Sequence, residues 1–371
     1  MRTKRASVVW GVVCLIFMLA VMFSGSVCAL AAPKPIKIAC TSHFPPPPAP
    51  PAKAAADIQA YVDFARKVKE ATNGRVVIEY FWGSSLGKVN DFIRMVGNPG
   101  IADAGIICTV YNKWEIPLTA GTGLPFRGSN LEAQGRAMLD LLATWKPIQD
   151  EWDKVNCKVL WLTPCPYCAT GTKDKQIKTL DDFKGEKIWG VGYYADALNR
   201  VGAKVVSFPG GEIYESLAKG VIDGAYFPYT GHYMFGFWEL LNYELNTDNV
   251  GAHCNMMWSI NKDVWNKISK GDQEAMKKIG AEMFEEFLAN YKAENIRVNE
   301  TFIKKGIKFS ELSAADWAKW KALAGPATEK EWLEQMDKRG QGEEARELLK
   351  RHAALYAEYE AKAKYGFIFP K

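Results

Sequence analysis

Apolar positions along this chain recur with two periods, and the periods alternate. Between 178 and 229, short apolar runs at Lys187–Val191, Lys204–Ser207 and from Asp223 onward predict strands. The segments Tyr194–Val201 and Glu212–Lys219 between them predict helices, each stopped by a glycine, Gly202 and Gly220. Strands alternating with short helices imply an α/β unit with a largely parallel sheet. Ligands bind beyond the carboxyl ends of such strands, so Trp189–Gly192 and Tyr226–Tyr229 become candidate contacts.

The N-terminal part repeats this order. A short strand at Ile36–Cys40 is followed by a helix over 52–72, whose apolar face carries Ile58, Tyr61, Val62, Ala65 and Val68. Next come a strand at 75–81, a turn at Trp82, a helix at 88–96 and a buried strand at 100–108. A single helix is predicted over 130–153, capped by Asn130. A strand at 157–162 leads into the unit described first, and an alternating strand at 254–261 leads out of it. Residues 271–305 hold no proline and, beyond Gly271 at the start, only Gly280, so they predict one helix or two abutting ones; a single helix would be about 50 Å long. The last part, 314–364, is helical and highly charged, which reads as a solvated face.

Residues 1–31 combine a basic head (Arg2, Lys4, Arg5), an apolar run from Val8 to Phe23 and the exit Ala29-Leu30-Ala31. This is the pattern of a cleaved secretory signal peptide. Export would leave 340 residues, enough to split into two lobes. The formal charge of +5 falls to +2 after cleavage, too little and too evenly spread for a nucleic-acid partner. Six cysteines remain, among them Cys165-Pro166-Tyr167-Cys168. A redox pair of that spacing needs its first cysteine at a helix N-terminus, whereas this one follows a strand and precedes extended sequence. A structural or pocket-lining role is the favoured reading; a secreted thiol-redox protein using Cys165 and Cys168 is the alternative. The histidines are few and no zinc, nucleophile-elbow or phosphate-loop motif is present, so no enzyme chemistry and no cofactor or metal is expected.

The order TLDDFKG-EKI, ADALNRVGAKVV and EIYESLAKGVIDG, preceded by GRVVIEYFWGSSLG, GIADAGI and LPF, resembles the dicarboxylate-type solute-binding proteins of TRAP transporters. The resemblance implies a two-lobed periplasmic binding protein-like α/β fold with a long helix spanning both lobes and a helical C-terminus. It places lobe I at 32–156 with a returning segment at about 250–285, and lobe II at 157–249 with about 286–371. It further implies a monomeric periplasmic receptor that captures a small-molecule ligand by lobe closure and hands it to integral-membrane TRAP transporter subunits; a ligand sensor for a signalling partner would look the same.

Two departures from the family pattern bear on the ligand. The arginine that follows K-I and forks onto a substrate carboxylate is here Trp189. The polar pair after D-G-x is here Tyr226 and Phe227. A guanidinium matches a carboxylate in geometry and charge, and an indole does not. The expected pocket is therefore neutral and aromatic, with Trp189, Phe227, Tyr226, Tyr167 and Trp82 as walls and Phe44, Cys108, Cys168 and Asn255 as further contacts. Such walls suit an aromatic or apolar ligand, or a quaternary ammonium. An anion would need Arg127 or a lysine as a substitute cation.

Overall fold

The computed structural model describes residues 34–49, 53–251 and 254–370. The expected signal peptide, the end of the proline run at Pro50–Pro51, and His253 lie outside these residues.

Two sheets organise the chain. The first comprises β1 (Ile36–Thr41), β2 (Val76–Phe81), β3 (Ala104–Cys108), β4 (Cys157–Pro164) and, from far along the chain, β10 (Asn255–Asn261), in the order β2-β1-β3-β10-β4. The second comprises β5 (Cys168–Thr172), β6 (Lys187–Trp189), β7 (Lys204–Val206), β8 (Gly224–Pro228), β9 (Tyr243–Asn246) and β11 (Lys308–Glu311), in the order β11-β9-β5-β8-β6-β7. Within them β1, β2 and β3 run parallel, as do β6, β7 and β8, while β10 and β5 run antiparallel to their neighbours. The alternating β/α pattern dictates this mixture: each helix returns the chain to the same end of its sheet, and one reversed strand lets the chain change sheets. The change occurs at 165–167, again at 247–254, and a third time over 262–307, so two adjacent strand connections and a long helical segment join the sheets.

The strand expected to open the second lobe, β4, pairs with β10 in the first sheet. The helix expected over 130–153 is two helices, Leu131–Thr144 and Lys146–Lys154, parted at an extended Trp145. Pro147 explains the break, because it lacks the N–H that would bond the carbonyl four residues back and its ring crowds that carbonyl. The Gln149 amide instead donates to the oxygens of Leu142 and Ala143, at 3.1 and 3.0 Å. Asn130 caps the first helix as expected, accepting from the N–H of Ala133 at 2.9 Å.

A single helix, Lys270–Lys305, runs for 36 residues, about 54 Å at the usual rise. Ser269 caps it by accepting from Asp272 N–H, and Gly306 closes it in the left-handed region at φ 88°. One end packs on the helix Ala56–Ala71 and on β4; further along it reaches the helix Tyr229–Met234 beside the second sheet. Gly280 permits the close approach to β4, since a Cβ there would lie 3.0 Å from the Trp161 side chain. Beyond it come the helices Ala314–Lys338 and Gly342–Glu360. The chain ends in an aromatic tail, Tyr365–Phe369, that packs with Tyr167, Tyr229 and Phe309. Among the described residues no helix is long and apolar enough to cross a membrane.

Candidate functional site

The carboxyl ends of β1, β3 and β4 and the start of β10 face the carboxyl ends of β6 and β8 and the start of β5, and a cavity lies between them. This is where α/β sheets hold ligands. Its inner part has a free volume of about 60 Å³ and shares His43, Tyr111, Val191, Gly210 and Phe235 with a wider groove of about 1030 Å³ bounded by Pro45, Pro46, Lys88 and Glu212. The loops meet across it. A Cβ added at Gly192 would lie 3.3 Å from Val110, and Tyr194 donates to the carbonyl of Gly123 at 2.8 Å.

Six of the nine residues singled out from sequence line the inner cavity: Trp189, Phe227, Tyr226, Cys168, Phe44 and Cys108. Trp189 is 2% exposed, and its indole N–H donates to the carbonyl of Phe208 at 2.9 Å. That bond fixes the ring against Phe227, at 5.2 Å and 63°. Tyr226 stacks on Tyr194 at 5.2 Å. Three residues lie elsewhere. Tyr167 turns away and stacks on Phe367 at 4.7 Å, with its hydroxyl directed to the carbonyl of Tyr365. Trp82 packs on Tyr80 at 4.8 Å. Asn255 is buried in β10, where its N–H donates to Thr109, while its neighbours Cys254 and Met256 line the cavity. Strand alternation separates them: successive side chains point to opposite faces, so a one-residue offset moves the contact.

Arg127, the substitute cation considered for an anion, is engaged elsewhere, bonding Glu329 at 2.6 Å and the carbonyl of Leu349 at 3.0 Å. No lysine or arginine lines the inner cavity among the described residues. Its ionisable groups are His43, Asp57, tyrosines and thiols. Burial lowers the His43 imidazole to about 4, so it is neutral at physiological pH. Burial raises Asp57 to about 8, against the opposing hydrogen bond from Thr163 at 2.8 Å. The nearby Glu294 pushes in the same direction as burial.

Asp57 was missed in the sequence reading, although the pattern held a signal. It lies on the same helical face as Tyr61, Phe64 and Val68, all buried, so it is an acid inside an apolar stripe.

Cys108, Cys165, Cys168 and Cys254 all line the cavity. The Cys254 thiol is in hydrogen-bonding contact with those of Cys108 and Cys165, and Cys168 with Cys165; these contacts and burial push Cys254 and Cys168 well above the usual thiol range. Cys168 begins the extended β5, so the Cys165–Cys168 segment offers no helix N-terminus to stabilise a thiolate. Among the described residues no three His, Cys, Asp or Glu side chains are grouped to hold a metal ion.

Two α/β lobes joined by paired strand connections around an interior site define a two-lobed solute-binding protein. Residues 51–335 match the model of the bacterial extracellular solute-binding proteins, family 7, and the chain belongs to that family. A solute-binding protein of Albidiferax ferrireducens is 29% identical over 272 residues, covering 71% of this chain and 77% of the relative. In three dimensions the chain is similar to a marine metagenome TRAP solute-binding protein specific for aromatic acid ligands, crystallised with 3-hydroxybenzoate, with TM-score 0.77 and 23% identity over 88% of this chain and 99% of that one. It is also similar to a TRAP solute-binding protein of Rhodoferax ferrireducens in complex with benzoate, with TM-score 0.75, 23% identity and the same coverage. The chain is thus a solute-binding receptor with the TRAP-type fold, and its family is one of receptors rather than enzymes.

Proposed function

We propose that this receptor works outside the cytoplasm, in the periplasm after removal of residues 1–31, and delivers one small organic solute to the integral-membrane subunits of a TRAP transporter. The observation that carries the reading is the aromatic cavity between the two sheets, lined from both sides and roofed by loops that meet across it. A solute there touches both lobes at once, so it favours the closed form by its differential affinity. The lobes divide where the chain changes sheets: one holds the first sheet with β4 and β10, the other the second sheet, and the helix Lys270–Lys305 braces them.

The receptor acts as a monomer. Its solute is a neutral or cationic organic molecule rather than a dicarboxylate, because Trp189 stands where the family places its arginine and no other cation lines the inner cavity among the described residues. Loss of that guanidinium would cost a carboxylate a charge-assisted contact worth about 1.5–3 kcal/mol.

The reading is tested by a thermal-shift screen of the purified mature chain against organic acids, neutral aromatics, alcohols and amines, followed by small-angle scattering with any hit. A binding solute raises the unfolding midpoint with concentration and contracts the particle. If no compound does either, the receptor reading fails.

A further inference from the structure

We infer that the solute is an organic cation, an amine or quaternary ammonium compound, and that Asp57 supplies its counter-charge inside an aromatic and sulfur-lined cage. This rests on the receptor reading and names the substrate class of the same cavity.

The charge pattern of the cavity leads there. Rings from Phe44, Tyr111, Trp189, Tyr226 and Phe227 line it, and between them lie thiols and the thioethers of Met234 and Met256. None of the side-chain cations placed over aromatic rings among the described residues faces one of these rings; those contacts are at Trp114, Tyr193, Phe284, Tyr233 and Trp238. Aromatic faces attract an ammonium group most strongly where water is excluded. Among the described residues the single carboxyl group on the inner wall is Asp57, 3% exposed; no basic partner for it lies among their hydrogen bonds and ion pairs, and it accepts from the hydroxyl of Thr163. Placing an acid in an apolar cavity without a cation is costly. A ligand that carries the cation resolves the cost only when bound, and a carboxylate ligand would aggravate it.

Proton linkage follows from the same geometry. With Asp57 titrating near 8 in the empty site, entry of a cation at pH 7 displaces the carboxyl proton from most molecules, and affinity rises about tenfold or more from pH 6 to pH 9. Other groups around Asp57 do not reverse this. Glu294 on the long helix, raised to about 7, gains negative charge in the same window and helps the cation. His43 stays neutral, and Tyr61 on the same helix, Tyr111, Tyr226, Cys168 and Cys254 are pushed upward by their surroundings.

The test is calorimetry with tetramethylammonium, choline, benzyltrimethylammonium and a graded series of alkylamines, set against 3,3-dimethyl-1-butanol, the uncharged counterpart of choline, and benzoate. At least one cation is expected to bind ten times or more tighter than its uncharged counterpart, to release a proton at pH 7, and to lose tenfold or more in Asp57→Asn. If that variant does not fold, the pH profile and the proton count in the unaltered protein decide. Tighter binding of benzoate or the neutral isostere, cation binding without proton release, or a hit from the broader screen that is only neutral or anionic overturns the inference and leaves the receptor standing. Failure of every compound in both sets removes both.

Discussion

The Phe227 ring meets three aromatic neighbours edge-on, Trp189 at 5.2 Å, Phe235 at 5.4 Å and Phe237 at 5.5 Å. Phe227 therefore links the inner cavity wall to the core beneath the second sheet. Phe227→Leu keeps apolar volume but removes the ring face, so ligand affinity is expected to fall about tenfold while stability drops by only about 1 kcal/mol. Calorimetry and thermal melts on one sample check it, and an unchanged affinity would remove Phe227 from the site.

Trp189→Arg restores the guanidinium of the family pattern on the cavity wall. The indole bond to Phe208 is lost, and a new cation meets whatever ligand enters. Binding of benzoate is expected to strengthen tenfold or more, from one charge-assisted bond worth about 1.5–3 kcal/mol, and binding of ammonium compounds to weaken. Titration of both ligand types into the variant reads the result.

Asp57 and Glu294 impose a stability trend with pH. Their folded-state values, about 8 and about 7, lie above the ordinary carboxyl range. The folded chain thus holds protons that the unfolded chain has released, and their stabilising contribution is lost as pH rises through those values. The buried His43 and His352, lowered to about 4 and about 3, act oppositely, but their contribution levels off above about pH 7.5 and is small across this window. Between pH 6.5 and 8 the ligand-free protein should lose about 2 kcal/mol from this pair, seen as a falling urea midpoint. Asp57→Asn should remove the Asp57 share of the trend and leave that of Glu294 and of Glu151 and Asp248, which burial also raises to about 7.

The cavity thiols should resist small thiol reagents in the folded state. Cys168 and Cys254 are 4% and 7% exposed, and their thiols are pushed up, so little thiolate is available to react. Labelling is expected to track unfolding, and Cys165→Ser should leave no disulfide-reductase activity to lose, because none is expected in the parent. Rapid native labelling, or reductase activity that the substitution abolishes, would revive the redox alternative.

The C-terminal tail should stabilise the region where the sheets meet. Phe367 stacks on Tyr167, the N–H of Ile368 donates to Asn295 at 3.2 Å, and Asn299 donates to the carbonyl of Ile368 at 2.8 Å. Truncation after Lys364 removes these contacts, about 3 kcal/mol in all, and the melting midpoint should fall by about 5 °C.

Local physics made much of this molecule legible before its fold was known. Period-two and period-3.6 patterns set the strands and helices, Gly202 and Gly220 ended two of the helices, and Asn130 capped another, because each signal acts over a few residues. The ordered motifs and Trp189 at the arginine position pointed to the receptor family and to a cavity without that guanidinium. Tertiary structure decided what depends on distant partners. Pro147 broke a helix that periodicity ran straight through, and β4 joined the first sheet because β10 arrives beside it from about a hundred residues further on. Tyr167 met the C-terminal tail instead of the cavity, and Asn255 lost its place on the cavity wall to Cys254 and Met256 by the alternation of one strand. Asp57 reads in sequence as an acid opening a helix. Only the packing of β4, the long helix and the cavity around it removes water from the carboxyl, and water is what decides its charge.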